Sequence, residues 1–123
     1  MNKRIKSFGF AFKGIKTVFT SEANMKIHVF IAILVLICGV IFNLSVTEWV
    51  LCLGCFGLVI SMEMINTALE NLVDLVSPEH HPLAGKVKDM AAGAVLVAAI
   101  ISSIIGLIIF LPKGWNMLMN LIN

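Results

Sequence analysis

The chain has 123 residues, of which 59% are hydrophobic and 13% are charged, and its mean hydropathy is +1.01. A soluble domain carries about 45–50% apolar and about 25% charged residues, so this composition excludes an ordinary soluble domain and predicts an integral membrane protein. The formal net charge is only +2, and nucleic-acid binding is disfavoured because most of the chain is suited to lipid. The length allows a single domain, residues 1–123.

The first segment, residues 1–20, has the pattern of an amphipathic helix. Apolar residues recur at intervals of three and four on one face, at Ile5, Phe8, Phe12, Ile15 and Phe19. A basic helix with an aromatic stripe is typical of helices that lie on a membrane surface, although packing on the protein's own helices is an alternative. We expect no cleaved signal peptide, because the charged stretch is long and lacks an A-x-A-like site.

Three longer apolar segments predict transmembrane helices at about residues 25–44, 49–66 and 90–111, since about 20 apolar residues cross the hydrocarbon region. Ser21 is the expected N-cap of the first of these helices, with Glu22 in its first turn. The sequence Pro-Lys-Gly at 112–114 is expected to end the third helix.

The distribution of basic residues predicts the orientation of the chain. Lysine and arginine concentrate in residues 1–26 and in the loop at 76–88, and the turn at 43–48 contains neither. Loops rich in these residues stay in the cytoplasm. The sequence therefore predicts a cytoplasmic N-terminus and a C-terminus outside.

The second apolar segment ends in a row of polar residues on one helical face. They are spaced at intervals of three and four, at Glu63, Asn66, Thr67, Glu70 and Asp74. An acid at the centre of a membrane helix costs roughly 2.5–3.5 kcal/mol, and such residues are usually functional. A solvated helix end explains Asp74 but not Glu63 and Asn66, for which a purely structural polar seam is the alternative.

These polar residues suit phosphate chemistry at the membrane interface. Glu22 and Glu70 are candidate Mg²⁺ ligands, because this ion is bound by one or two carboxylates together with substrate phosphates. Lys88 is a candidate phosphate contact. Glu63 lies deeper in the apolar segment, where a carboxylate within reach of a lipid hydroxyl is a candidate general base.

The nucleotide-binding motifs of soluble kinases are missing from the sequence, which contains neither a P-loop nor a protein-kinase glycine loop. His80 and His81 are candidate phosphate ligands, although a histidine pair in a loop is often only solvated. A small proton-coupled transporter and a holin-like pore remain as distant alternatives. Both are disfavoured, because the acids cluster at one interface beside lysines.

Two longer motifs resemble those of the prokaryotic diacylglycerol kinase family. The sequence EMINTALENLVD at 63–74 resembles the family signature, and HHPLAGKVKDMAAGAV at 80–95 resembles its second conserved block. The segments at 80–84 and 104–113 are similar to the Gram-positive branch, whose members are typically undecaprenol kinases. The resemblance implies an ATP- and Mg²⁺-dependent kinase of the bacterial cell membrane that acts on undecaprenol, with diacylglycerol as the alternative, and a homotrimer with shared active sites.

The resemblance also implies roles for individual residues. It implies that Glu63 is the catalytic base at the lipid hydroxyl, that Asn66 is a polar residue beside it, and that Glu22 and Glu70 hold Mg·ATP. The other residues implied to contact the nucleotide are Lys3, Phe10, Glu79, His80, His81, Lys88 and Asp89. His28 is implied to lie at the lipid substrate.

Three of these positions depart from the enterobacterial kinases. Lys3 replaces an arginine, Phe10 replaces a tyrosine near the nucleotide, and His28 replaces a glutamate on the lipid side. The side chains expected to lead to the site are apolar, which favours a prenol over diacylglycerol; they are Phe8, Phe12, Ile15, Phe19, Met62 and Met64.

Overall fold

The computed structural model describes residues 2–123, and in this range the chain forms four α-helices and no strand. Helix α1 spans Lys3–Ser21, α2 spans Ala23–Ile41, α3 spans Val46–Val76 and α4 spans Pro82–Ile122. The prediction of an all-helical protein is confirmed. The first residue of the predicted surface helix, at position 1, lies outside the described range.

Helix α1 ends one residue later than expected, at the junction with α2. Ser21 is the last residue of α1, and its hydroxyl donates to the Thr17 carbonyl at 2.6 Å. Glu22 is extended and occupies the N-cap position of α2 without a side-chain cap hydrogen bond. The prediction that Ser21 caps α2 is therefore wrong, because a serine hydroxyl can bond to the carbonyl four residues earlier and remain helical. The Glu22 carboxylate is left free of a capping role.

Helix α3 begins in a capping box. The Glu48 amide donates to the Ser45 hydroxyl at 3.2 Å, and the Ser45 amide donates to the Glu48 carboxylate at 3.0 Å. The helix has 31 residues, which at 1.5 Å per residue makes it about 46 Å long. Since the hydrocarbon region is about 30 Å thick, α3 is long enough to carry the polar row at its C-terminal end beyond the membrane core.

Helix α4 continues through Pro112 to Ile122. The prediction that residues 112–114 end the helix is therefore wrong. Proline removes one backbone N–H and usually ends or kinks a helix, but helices in membranes tolerate it. Lys113, in the next position, forms a salt bridge with Glu48 at 3.2 Å, which ties this end of α4 to the start of α3.

Helices α2, α3 and α4 are each long and apolar enough to cross a membrane, by length and composition. Only 11%, 22% and 11% of the residues in their most apolar windows are buried inside the chain. Lipid or other protein must therefore cover most of their surface. Helix α3 packs mainly against α4 and less extensively against α2, while α1 contacts α2 and α3.

A close approach between α2 and α3 depends on Gly39. A Cβ added at this position would lie 2.5 Å from Trp49 Cη2 and 3.0 Å from Leu44 Cδ1. We expect Gly39→Ala to displace Trp49 and to destabilise the protein by about 1–3 kcal/mol, the usual cost of overpacking. Thermal unfolding in one detergent, followed by tryptophan fluorescence, measures the effect. Gly114→Ala is the control, because nothing lies within 4 Å of a Cβ there; equal midpoints for the two variants would contradict the prediction.

Candidate active site between three membrane helices

Glu63 lies in a groove where α2, α3 and α4 meet. Its side chain is only 3% exposed, and its Oε2 lies 3.6 Å from His28 Nε2 on α2. The groove has a volume of about 290 Å³, and its lining from α2 and α4 is formed by Asn24, Ile27, His28, Ala92, Val95, Leu96 and Ala99. The Glu63 carboxylate therefore lies in a groove formed by helices of its own chain, and the groove has few other polar groups.

The polar row of α3 continues from Glu63 towards the C-terminal end of the helix. Asn66 and Thr67 are buried, and Asn66 Nδ2 donates to Glu70 Oε1 at 3.3 Å. Asn66 Oδ1 and Thr67 Oγ1 are buried without a hydrogen-bond partner among the described residues. An unsatisfied buried polar group costs about 1–3 kcal/mol. Both atoms thus keep an unmet hydrogen bond inside the helix packing, and Thr67 is a site candidate that the motif comparison did not single out.

Glu22 and Glu70 are the predicted ligands of Mg²⁺. Within residues 2–123 no group of three or more histidine, cysteine or acidic side chains is arranged to hold a metal ion. Mg²⁺ usually takes one or two carboxylates and completes its shell with water and substrate phosphates. Glu70 accepts from Asn66, and the Glu22 side chain makes no cap hydrogen bond. These two carboxylates would suit a metal that arrives with ATP, and they do not form an all-protein cage.

The predicted nucleotide residues on α3 and α4 lie around the junction of these two helices. Lys88 donates to Asp74 and links the first turns of α4 to the last turns of α3. His81 Nδ1 accepts from the Leu83 amide at 3.1 Å and caps α4. Glu79 and His80 are exposed in the connecting loop, and Asp89 is exposed on α4.

The two predicted nucleotide residues on α1 are not joined to this group. Lys3 and Phe10 are both exposed, and neither lines the groove that holds Glu63. The Lys13 ammonium group lies 5.7 Å from the centroid of the Phe10 ring. Among the described residues, the structure thus joins His28 to Glu63, Asn66 to Glu70 and Lys88 to Asp74, and it shows no such contact for Lys3 or Phe10.

A second cavity of about 220 Å³ also lies between α2, α3 and α4, and His28 and Ala99 line it as well. Most of its lining is apolar, including Ile31, Val35, Phe56, Val59, Ile60, Ile105 and Phe110. None of the six apolar side chains expected to lead to the site lines either of these two cavities.

Besides His28, two serines are polar residues in the lining of the second cavity. The Ser103 hydroxyl donates to the Ala99 carbonyl at 2.7 Å, whereas Ser102 Oγ is buried and has no partner among the described residues. The sequence interpretation missed Ser102, because a serine within an apolar membrane helix usually bonds to its own backbone.

The family model for prokaryotic diacylglycerol kinase matches residues 9–110. The chain belongs to this family. The kinase is 49% identical to the undecaprenol kinase of Bacillus subtilis over 92% of each chain. It is 38% identical to a diacylglycerol kinase of Synechocystis over 86% of its own length and 61% of that protein. It is 31% identical to the diacylglycerol kinase of Escherichia coli K12, over 81% and 82% of the two chains.

Membership confirms the resemblance drawn from the motifs at 63–74 and 80–95. The protein is a multi-pass membrane lipid kinase of a prokaryotic family and uses ATP. The transporter and pore alternatives are thereby removed. The roles of the individual site residues stay predictions.

Proposed function

We propose that the kinase transfers the γ-phosphoryl group of ATP to the hydroxyl of undecaprenol. One observation carries the proposal: the buried Glu63 lies beside His28, which lines both the groove around the acid and a mostly apolar cavity. A lipid hydroxyl in the groove meets a carboxylate, while the attached chain meets hydrocarbon side chains. The undecaprenol kinase of Bacillus subtilis, at 49% identity, supports this choice of alcohol.

In the proposed mechanism Glu63 accepts the proton of the lipid hydroxyl as its oxygen attacks the γ-phosphorus. Asn66 donates to Glu70 and fixes the direction of that carboxylate. Glu22 and Glu70 would hold Mg·ATP, and the ion would supply positive charge at the phosphates. Lys88 contributes a positive charge at the nucleotide end. The other proposed nucleotide contacts are Glu79, His80, His81, Asp89, Lys3 and Phe10.

The unit proposed is a single membrane-embedded domain, residues 1–123, that assembles as a homotrimer with shared active sites. The low burial of the three apolar helices supports an assembly, since most of their apolar surface is left for other protein or lipid to cover. A site shared between subunits also accounts for the absence of contacts between Lys3 or Phe10 and the described site residues of the same chain. The basic residues support a cytoplasmic N-terminus and a C-terminus outside.

Diacylglycerol is the second candidate substrate, and Ser102 favours it. The ester carbonyls of diacylglycerol can accept a hydrogen bond. Ser102 Oγ is a buried hydroxyl without a partner in the described chain. A prenol brings only branched hydrocarbon to the same cavity. Replacement of Ser102 should therefore change the turnover of the two alcohols to different extents.

We expect undecaprenol to be the better substrate, with residual activity on diacylglycerol, because an apolar cavity rejects other apolar ligands only weakly. The measurement is kcat/KM for each alcohol at equal mole fraction in the same detergent micelles. Ser102→Ala should lower kcat/KM for diacylglycerol more than that for undecaprenol. If diacylglycerol is turned over as well as undecaprenol or better, the protein is a diacylglycerol kinase.

A further inference from the structure

As the proposed general base, Glu63 must lose a proton after each turnover, and few groups around it can accept one. The side chain is only 3% exposed, so bulk water has poor access to it. Apart from His28, the residues from α2 and α4 that line its groove are Asn24 and apolar side chains. The neighbouring polar residue on α3, Asn66, is an amide and does not take up a proton.

His28 is the one ionic partner of Glu63 in the described part of the chain. Its Nε2 lies 3.6 Å from Glu63 Oε2, and its side chain is 20% exposed, compared with 3% for the acid. A neutral imidazole accepts a proton in the physiological pH range. The separation is slightly too long for a hydrogen bond, but catalytic pairs often tighten only with substrate bound, or act through one water.

We propose that His28 receives the proton from Glu63 and releases it to water, which returns Glu63 to the basic form for the next turnover. This inference rests on the proposed function, in which Glu63 is the base. The lipid O–H bond breaks, its proton moves to Glu63, and the lipid oxygen forms the bond to the γ-phosphorus. The bond between that phosphorus and ADP breaks with its electron pair on ADP. The proton then passes from Glu63 to His28 Nε2, forms an imidazolium, and leaves to solvent.

The other ionisable groups near His28 do not offer the same route. Cys52 and Cys55 of α3 line the apolar cavity with His28, but neither lines the groove that holds Glu63. The α4 residues that face His28 across both cavities are not ionisable. His28 is thus the more exposed member of the pair and the one ionisable neighbour of Glu63 among the residues that line the groove.

The test compares His28→Gln, which keeps a polar side chain but cannot carry the proton, with His28→Glu, which can. We expect His28→Gln to lower kcat by about tenfold or more, with KM for Mg·ATP within about twofold of wild type. Added imidazole at constant pH should raise kcat of His28→Gln and leave the wild type unchanged. His28→Glu should retain a larger kcat than His28→Gln, because its carboxylate also accepts a proton.

A kcat for His28→Gln within about twofold of wild type in every buffer overturns the proposal. A folded variant whose lost activity is restored neither by imidazole nor by His28→Glu also overturns it, since His28 would then only shape the groove. Should His28→Gln unfold in detergent, His28→Ala is measured with and without added imidazole, because alanine leaves space for the ring. A kcat of His28→Ala that imidazole does not raise contradicts the relay.

Glu63→Gln, measured in parallel, separates this proposal from the one it rests on. An active Glu63→Gln enzyme refutes Glu63 as the base and therefore the mechanism as a whole. An inactive Glu63→Gln beside a fully active His28→Gln refutes the relay alone.

Discussion

Replacing Glu63 by glutamine should lower kcat by about 10²–10⁴, the range typical of a positioned general base. Glutamine keeps the size of the side chain in the groove but cannot accept the proton of the lipid hydroxyl. The affinity for Mg·ATP should barely change, because Glu63 lies among α2 and α4 side chains and not at the α3–α4 loop. Labelled ATP and the lipid alcohol in mixed micelles give kcat, and equilibrium binding gives the nucleotide affinity.

Glu48→Gln is the matched control for Glu63→Gln. Glu48 is also a glutamate of α3, but it lies in the first turn of the helix. Glutamine can replace glutamate in a capping box. The salt bridge to Lys113 is lost, but a partly exposed ion pair contributes only about 1 kcal/mol or less, so the fold should be kept. We expect the control to retain wild-type kcat; an activity of Glu63→Gln above half that of wild type would refute the base assignment.

Replacing Glu70 by glutamine should abolish turnover or raise the Mg²⁺ concentration needed for half-maximal activity by about tenfold or more, because one of the two proposed carboxylate ligands is lost. The amide of Asn66 can still donate to the glutamine oxygen, so the local hydrogen bond seen at Glu70 Oε1 is kept. Glu70→Gln therefore removes the negative charge and leaves the local structure largely unchanged. Glu22→Gln should act in the same direction.

The measurement is a Mg²⁺ titration of activity at fixed ATP, together with the Mg²⁺ dependence of nucleotide binding without lipid. The second readout separates a metal defect from a defect in proton transfer. Glu48→Gln again serves as the control that removes a carboxylate from α3 far from the nucleotide end. Unchanged Mg²⁺ curves for both Glu22→Gln and Glu70→Gln would remove the metal assignment.

The sequence by itself determined the features that depend on local periodicity and length. The three apolar segments predicted the membrane helices, because crossing the hydrocarbon needs about 20 apolar residues whatever their neighbours are. The helical spacing of residues 63–74 placed Glu63, Asn66 and Glu70 on one face, since residues three and four apart are neighbours on any α-helix. The Asn66–Glu70 hydrogen bond follows from this spacing.

Helix ends were predicted less well, because their energies are small and depend on competing partners. Ser21 bonds back to Thr17 where a cap was expected, and α4 continues through Pro112 with Lys113 paired to Glu48. A sequence pattern shows which residues favour a boundary. It does not show which carbonyl or carboxylate from elsewhere in the chain will be near.

Only the tertiary structure decided which distant residues meet. His28 and Glu63 are on different helices, and their approach to 3.6 Å depends on how α2 packs against α3. The pairing of Lys88 with Asp74 likewise depends on the angle between α3 and α4. The groove, the apolar cavity and the unpaired Ser102 hydroxyl are properties of three helices together. Local periodicity fixes the face of a helix on which a residue lies, but only packing fixes what that face contacts.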